Sequence, residues 1–399
     1  MTRVSIVRVE GRDRECVSAA VRQAVSLAGG LADLIRPGMR VMVKPNLVAP
    51  PASTEAGACT SPLVCQAVAD LVRELGARPV IAESSARGAD TEAAFRIMGY
   101  EALRQQGYEV VDLKKDRTVR VKLAAGRVLE EVTTFESVTR MDAIISVPVL
   151  KTHDQGGATL SLKNLKGLVT DAEKRRIHLE GMFEGAVDLA SHFRPVFAVV
   201  DGLIGQEGMG PLMGLPVELG LVLAGRDLVA VDATTGRLMG FEADEVPITQ
   251  AAAARGLGTA DLMEIEVTGE ALASVRRRFV RCEEDHRIDQ EGVTIVHSEG
   301  TCTGCRNGLL SSLFDMRADG TLRRARGLTV VVGPTAIPQG IPQELLVGIG
   351  TCAPAEARRL PRFVRGCPPN NVDIVRALGE GPPSGMGSRD CASDALPGS

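Results

Sequence analysis

The chain has 399 residues, with 46 Lys and Arg against 50 Asp and Glu, so a formal net charge of -4 excludes a global positive field that would draw it to nucleic acid or an anionic membrane. Hydrophobic residues make up 44% and charged residues 24%, a globular balance that excludes wholesale disorder. With no Trp, two Tyr and nine Phe there is little material for a base-stacking platform, which again argues against nucleic acid as a partner.

The opening residues, MTRVSIVRVEGRDRE, carry charges within their first apolar stretch and have no small-residue cleavage site, so they do not read as a signal peptide. The most apolar runs, 196–204 and 217–224, contain Asp201 or Glu218 and are far shorter than the roughly 20 residues of a spanning helix. Nine cysteines without an export signal point to a reducing, cytoplasmic compartment, where thiols serve metals or catalysis rather than disulfides.

In chain order, residues 4–9 alternate as a strand, 15–28 form a helix ending at Gly29-Gly30, and 40–44 form an apolar strand stopped by Pro45. Ser61-Pro62 opens a helix to Gly76 by the N-cap and first-turn proline rule, and strand 78–82 ends at Glu83-Ser84-Ser85. Helices 91–98 and 101–106 follow, then an extended stretch 109–113 and a hairpin of 119–122 with 128–133 around Ala125-Gly126. Strand 143–147, a Lys- and Gly-rich segment 151–167, a helix near 184–191 and strand 196–200 continue the alternation to about residue 270.

Such alternation predicts an α/β fold, a mostly parallel sheet with helices on both faces and ligands beyond the carboxyl ends of the strands. The core is expected over residues 1–275, divisible into lobes of about 1–118 and 141–270 with the hairpin between. A charged linker near 274–287 leads to a smaller cysteine-rich α/β domain, 288–379. The Gly-, Pro- and Ser-dominated tail 380–399, which holds Cys391, is expected to be disordered.

Cys302-Thr-Gly-Cys305 puts two thiolates within reach of one metal centre, and Cys352 and Cys367 each directly follow an apolar strand and precede or approach a proline. Four sulfurs can then converge at one edge of a small sheet. Thiolates suit zinc or an iron-sulfur cluster; single, Pro-flanked third and fourth cysteines, in place of a second CxxC knuckle, favour one [4Fe-4S] cluster, with zinc as the alternative. Cys16, Cys59, Cys65 and Cys282 read as buried or incidental thiols.

Lys44-Pro45-Asn46 follows one strand, and Lys151-Thr-His153 follows another, with Lys163-Asn164 and Lys166-Gly167 next. Lys44, Asn46, Lys151, Lys163 and Asn164 therefore form a candidate pocket for carboxylate or phosphate. His153 and His178 are the proton-transfer candidates because imidazole titrates near neutrality, and Asp201, placed after strand 196–200, is a candidate for catalysis or for a helix cap. His192, His286 and His297 read as incidental. No dinucleotide or Walker fingerprint is present, and Gly205 to Pro211 reads as a mobile loop over the site.

Together Lys44-Pro-Asn46, the Ser61-Pro helix, Val147-Pro-Val-Leu-Lys151-Thr-His153, Thr159-Leu-Ser-Leu-Lys163-Asn164 through Gly167, Val200-Asp201-Gly202, Gly208-Met-Gly-Pro211 and Gly225-Arg-Asp through Asp232 resemble the family catalogued as domain of unknown function 362. The resemblance spans roughly residues 40–260. Members are commonly described as iron-sulfur-centre proteins, which implies a cluster here too. Relatives often carry ferredoxin-like CxxCxxCxxxCP runs; this chain has none, so one cluster at most is expected.

The function expected is an iron-sulfur oxidoreductase that passes electrons from an external donor protein to an anionic small molecule. The alternatives are a non-redox isomerase or lyase with a structural metal site, and an electron-carrier or metallocentre-assembly protein.

Overall fold

The computed structural model describes residues 1–285 and 292–379. His286, Cys391 and the tail expected at 380–399 lie outside the described residues. The chain forms two compact units that divide between Asp285 and His286. Among the described residues no helix is long and apolar enough to cross a membrane.

The first unit is built on one sheet. Its strands are β1 (Thr2–Arg8), β2 (Arg40–Pro45), β3 (Arg78–Glu83), β4 (Glu109–Asp112), a separate antiparallel hairpin of β5 (Thr118–Lys122) and β6 (Glu131–Phe135), then β7 (Ala143–Val147), β8 (Val149–His153), β9 (Gly157–Thr159), β10 (Phe197–Glu207), β11 (Leu215–Gly225) and β12 (Ile265–Gly269). The order across the sheet is β12-β1-β11-β10-β7-β2-β3-β4, with β8 beside β10 and β9 beside β8. Pairings β2 with β3, β2 with β7, β3 with β4, β7 with β10 and β1 with β12 are parallel; β11 runs antiparallel to both neighbours.

The expected division into lobes at 1–118 and 141–270 is not what forms. Val41 to Pro45 of β2 pair with Ala143 to Val147 of β7, so strands from both segments are neighbours in one sheet. Each segment alone would leave an apolar strand edge unpaired.

The pleat divides the core. Met42, Val80, Ile144, Ala198 and Val200 face one side with Ile177, Leu189 and Val231 from helices 171–180, 182–193 and 228–238. Val41, Val43, Ile81, Ile145 and Val199 face the other, with Val17 and Val21 from Arg14–Leu27 and Val64 and Val68 from Pro62–Glu74. Burial on both faces is why these strands read as continuous apolar runs. The helix Pro62–Glu74 starts as expected, with Pro62 in its first turn and the Ser61 hydroxyl accepting the Leu63 N–H.

Two readings of the glycine-rich region change. Residues 205–207 are not a loop: β10 runs through them, pairing Gly205 with Val217 and Glu207 with Leu215. Gly205 is required by packing, because a Cβ there would lie 2.5 Å from the Leu150 carbonyl oxygen. Asp201 consequently sits within an eleven-residue strand rather than after one.

The second unit holds a parallel sheet in the order β13 (Thr294–His297), β14 (Thr329–Val332), β15 (Leu346–Ile349) and β16 (Phe363–Val364). Leu309, Leu313 and Met316 of the helix Thr303–Ala318, with Ile374 of the helix Asn371–Gly379, cover one face; Ala353, Ala357 and Leu360 pack on the other.

Candidate anion site and cysteine site

Strands β2, β3 and β7 end side by side at the carboxyl edge of the first sheet. There the Lys44 amine, wholly buried, lies 2.7 Å from Glu83 Oε1 and donates to the Pro45 carbonyl (2.8 Å) and Asn164 Oδ1 (3.1 Å). Glu83 also accepts the Leu47 N–H at 2.9 Å and the Ser84 N–H at 2.7 Å. Burial pushes the Lys44 amine down and Glu83 opposes it. With three acceptors for three N–H groups, Lys44 is an internal ion-pair residue, and the expectation that it grips substrate is replaced by one that it positions Asn164.

Asn164 Nδ2 donates to the Lys44 carbonyl (2.9 Å) and Ser146 Oγ (3.1 Å), while its oxygen also accepts from Asn46 Nδ2 (3.2 Å). Asn46 Oδ1 is buried without a hydrogen-bond partner among the described residues. Gly167 presses on the same pair: a Cβ there would sit 2.6 Å from Lys44 Nζ and overlap Glu83 Oε1.

The turn that presents Lys163 and Asn164 is the short helix Ser161–Asn164. Its first N–H groups are bound by Asp232, which accepts from Ser161 N (2.8 Å), Leu162 N (3.0 Å) and the Ser161 hydroxyl. Burial pushes the Asp232 carboxyl up to about 7, against those hydrogen bonds.

Other lysines crowd the edge. Lys151, fully buried, donates to the Ala58 carbonyl; burial brings it down to about 7, with Cys59 and Glu83 opposing and Lys163 adding to the fall. Lys163, partly exposed, has no hydrogen-bond partner among the described residues; burial lowers it to about 8 against Asp154. Lys166 Nζ lies 2.9 Å from His178 Nε2 and is pushed well down by burial, then by Lys163 and Lys174. Lys174 is saturated by Ser84 O (3.0 Å), Ser84 Oγ (2.5 Å), Ser85 O (2.6 Å) and Asp171 (3.1 Å), and burial lowers it to about 8.

His153 is buried, its Nδ1 2.8 Å from Asp154 Oδ1 and within reach of the Gln155 (3.1 Å) and Gly156 (3.3 Å) N–H groups. Burial, then Lys163, lowers it to about 4. Near neutral pH it is an uncharged ring.

A group of amines this buried, held below their usual range by dehydration and by one another, is stabilised by any anion that enters among them. The usable donors belong to Lys151, Lys163 and Lys166. Asp201 is placed elsewhere. It accepts Ser61 N (2.7 Å) and Leu203 N (3.0 Å), is pushed by burial to about 6, and lines a separate cavity of about 630 Å³ with Cys59, Leu63, Met98 and Leu219. It anchors the start of the helix Pro62–Glu74.

Glu83, Asp154, Lys174 and Asp232 were absent from the sequence-based site. Glu83 carried a readable signal, its place directly at a strand end, and Asp232 stood in the motif that carries the family resemblance. Asp154, Lys174 and Asp232 act across contacts such as Ser161 to Asp232, 71 residues apart.

In the second unit Cys302 precedes the helix Thr303–Ala318 after β13, Cys352 follows β15, and Cys367 follows β16. The Cys302 thiol is lowered to about 6, first by a hydrogen bond from the Cys305 thiol and then by backbone N–H groups of Cys305 and Gly304 at the helix start, against burial. Cys305 is pushed up, by that hydrogen bond first, then by burial and by Cys302, Cys352 and Cys367. Cys352 and Cys367 are also raised, first by burial and then by Cys302. The four sulfurs thus lie within electrostatic reach of one another.

Gly350, at φ +102°, leaves room for the Cys305 sulfur, which would be 3.2 Å from a Cβ there. The Thr351 hydroxyl beside Cys352 is buried without a hydrogen-bond partner among the described residues. Among the described residues no three Cys, His, Asp or Glu side chains are gathered tightly enough for a single ion. Tetrahedral zinc needs its sulfurs about 2.3 Å from one point, whereas a cluster takes one thiolate at each of four separated corners. Four thiols are the donor type that either an iron-sulfur cluster or zinc takes.

Residues 41–237 match the family model described as Domain of unknown function (DUF362). A thylakoid-associated protein of Synechocystis sp. is 30% identical over 267 residues, which are 64% of this chain and 79% of that protein. Among solved structures, the lactate racemase apoprotein from Thermoanaerobacterium thermosaccharolyticum is similar at a TM-score of 0.40 and 11% identity, over 84% of this chain and 69% of that one.

Proposed function

The chain belongs to the DUF362 family, and from that premise we propose that it is an iron-sulfur oxidoreductase acting on an anionic small molecule. The observation that carries the substrate class is the set of buried amines, Lys151, Lys163 and Lys166, whose N–H groups are not used up by protein acceptors. They bind the anion, and its charge restores the protons that burial works to remove. His178, on Lys166, and the neutral His153 ring are the groups that exchange protons with it.

Cys302, Cys305, Cys352 and Cys367 hold the cluster in this proposal, with the Thr351 hydroxyl as a hydrogen-bond donor to its sulfur. Such a group, when bound, supplies one-electron transfer. With four thiolate ligands no iron is open to substrate, so an external donor protein delivers the electrons. A cytoplasmic location belongs to the same proposal: the eight described cysteines form no disulfide, and thiolate ligands require reducing conditions.

One observation favours a second reading, a non-redox isomerase or lyase with a structural cysteine site: the free amine of Lys163 can act without any electron donor. Iron, sulfide and zinc assays with a visible spectrum on protein purified without oxygen separate the two. About four irons and four sulfides per chain, with a band bleached by dithionite, support the first. One zinc and no colour would overturn it. Calorimetric titration with oxalate tests the anion site independently, and absence of binding would remove that part.

A further inference from the structure

The five lysines at the sheet edge are not equivalent. Lys44 and Lys174 are surrounded by protein acceptors, Lys151 is buried and donates to the Ala58 carbonyl, and Lys166 meets His178. Lys163 has no hydrogen-bond partner among the described residues and is partly open. Its backbone is nevertheless fixed, because Asp232 binds the first N–H groups of its turn and the next residue, Asn164, is tied to Lys44 and Ser146. The outer stem of Lys163 runs beside Gly156, 3.8 Å from where a Cβ would stand.

An amine whose neighbours are cations has difficulty keeping its own proton, and a lysine placed next to other cations in a dehydrated site becomes a nucleophile for carbonyl carbons. Burial is what lowers Lys163 to about 8, with the Asp154 carboxylate opposing. Lys151 and Lys166 each feel the charge of Lys163 and are the cations on which a carboxylate can rest while the neighbouring carbon faces the amine.

We propose that Lys163 is a carbonyl-reactive residue that forms an imine with an anionic aldehyde or 2-oxo acid whose carboxylate is held by Lys151 and Lys166. This rests on the anion-site reading of the same lysines. The nitrogen lone pair adds to the carbonyl carbon, both amine hydrogens leave with the carbonyl oxygen as water, and carbon and nitrogen end doubly bonded with no oxidation or reduction. A proton from solvent gives the iminium, which withdraws electrons from the adjacent carbon and so eases loss of a proton or carboxyl group there.

The test treats the full-length protein with glyoxylate and sodium cyanoborohydride, which delivers hydride to the imine carbon and leaves a stable carboxymethyl group on nitrogen. Intact mass and peptide mapping read the result, and oxalate calorimetry is run on the same samples. The expected result, in wild-type protein that binds oxalate, is one adduct per chain at Lys163, suppressed by oxalate and reduced at least tenfold in Lys163→Arg; Lys163→Met is the second variant should Arg perturb the turn. Adducts spread over surface lysines in protein that binds oxalate would overturn the imine and leave the anion site standing. No oxalate binding and no adduct would overturn both.

Discussion

The Lys44–Glu83 pair gives the sharpest test of how the site is built. Both side chains are essentially without solvent contact, 0% and 3% exposed, so neither charge can be rehydrated if its partner is removed. Lys44→Met strands a carboxylate beside Gly167 and removes the donor to Asn164 Oδ1 and the Pro45 carbonyl. Breaking a buried pair from one side costs about 3–5 kcal/mol, which for a unit of this size lowers the melting temperature by roughly 6–10 °C. Glu83→Gln strands the ammonium at a similar cost. The double variant has no unpaired charge and retains mainly an orphaned Leu47 or Ser84 N–H, about 1–3 kcal/mol. Thermal melts of the four proteins, followed by circular dichroism at neutral pH, should therefore show the double variant less damaged than the sum of the singles by several kcal/mol. Additivity within about 0.5 kcal/mol would refute the reasoning, since it would mean that the two charges do not stabilise each other.

Gly167→Ala should destabilise the same unit by about 1–3 kcal/mol through overpacking against the pair, and a melt unchanged from wild type would show that the turn yields freely. Oxalate should bind most tightly where Lys151 and Lys163 are protonated; with free-protein values of about 7 and about 8, affinity should fall as pH rises from about 6 to about 9, and calorimetry showing no fall would remove these amines from the site. Glu83, Asp154, Cys59 and Lys166 face the same amines and make the decline gradual rather than a single step. Cys352→Ser should lower iron per chain while leaving oxalate affinity unchanged, because Cys352 belongs to the second unit; an iron content equal to wild type would exclude it as a ligand.

Much of the architecture was local and therefore legible. The apolar runs of β2, β3 and β7, the Ser61-Pro62 start and the alternation of strands with helices follow from residues within one turn or one pleat of each other, and they place Lys44, Asn46, Lys151 and His153 at or near strand ends without any knowledge of the fold. The spacing of Cys302 and Cys305 before a helix was legible for the same reason. What each group is free to do was decided only by tertiary contacts. Lys44 and Lys163 look alike as lysines followed by an asparagine within two residues, yet one is saturated by Glu83, Pro45 and Asn164 and the other has no hydrogen-bond partner among the described residues, because Glu83 arrives from a neighbouring strand and Asn164 from 120 residues away. Asp201 read as a strand-end residue because β10 is prolonged by tertiary pairing with β11 and β8. The single sheet joining β2 to β7 had no local signal either, since strand pairing depends on which edges remain to be covered once the chain has collapsed.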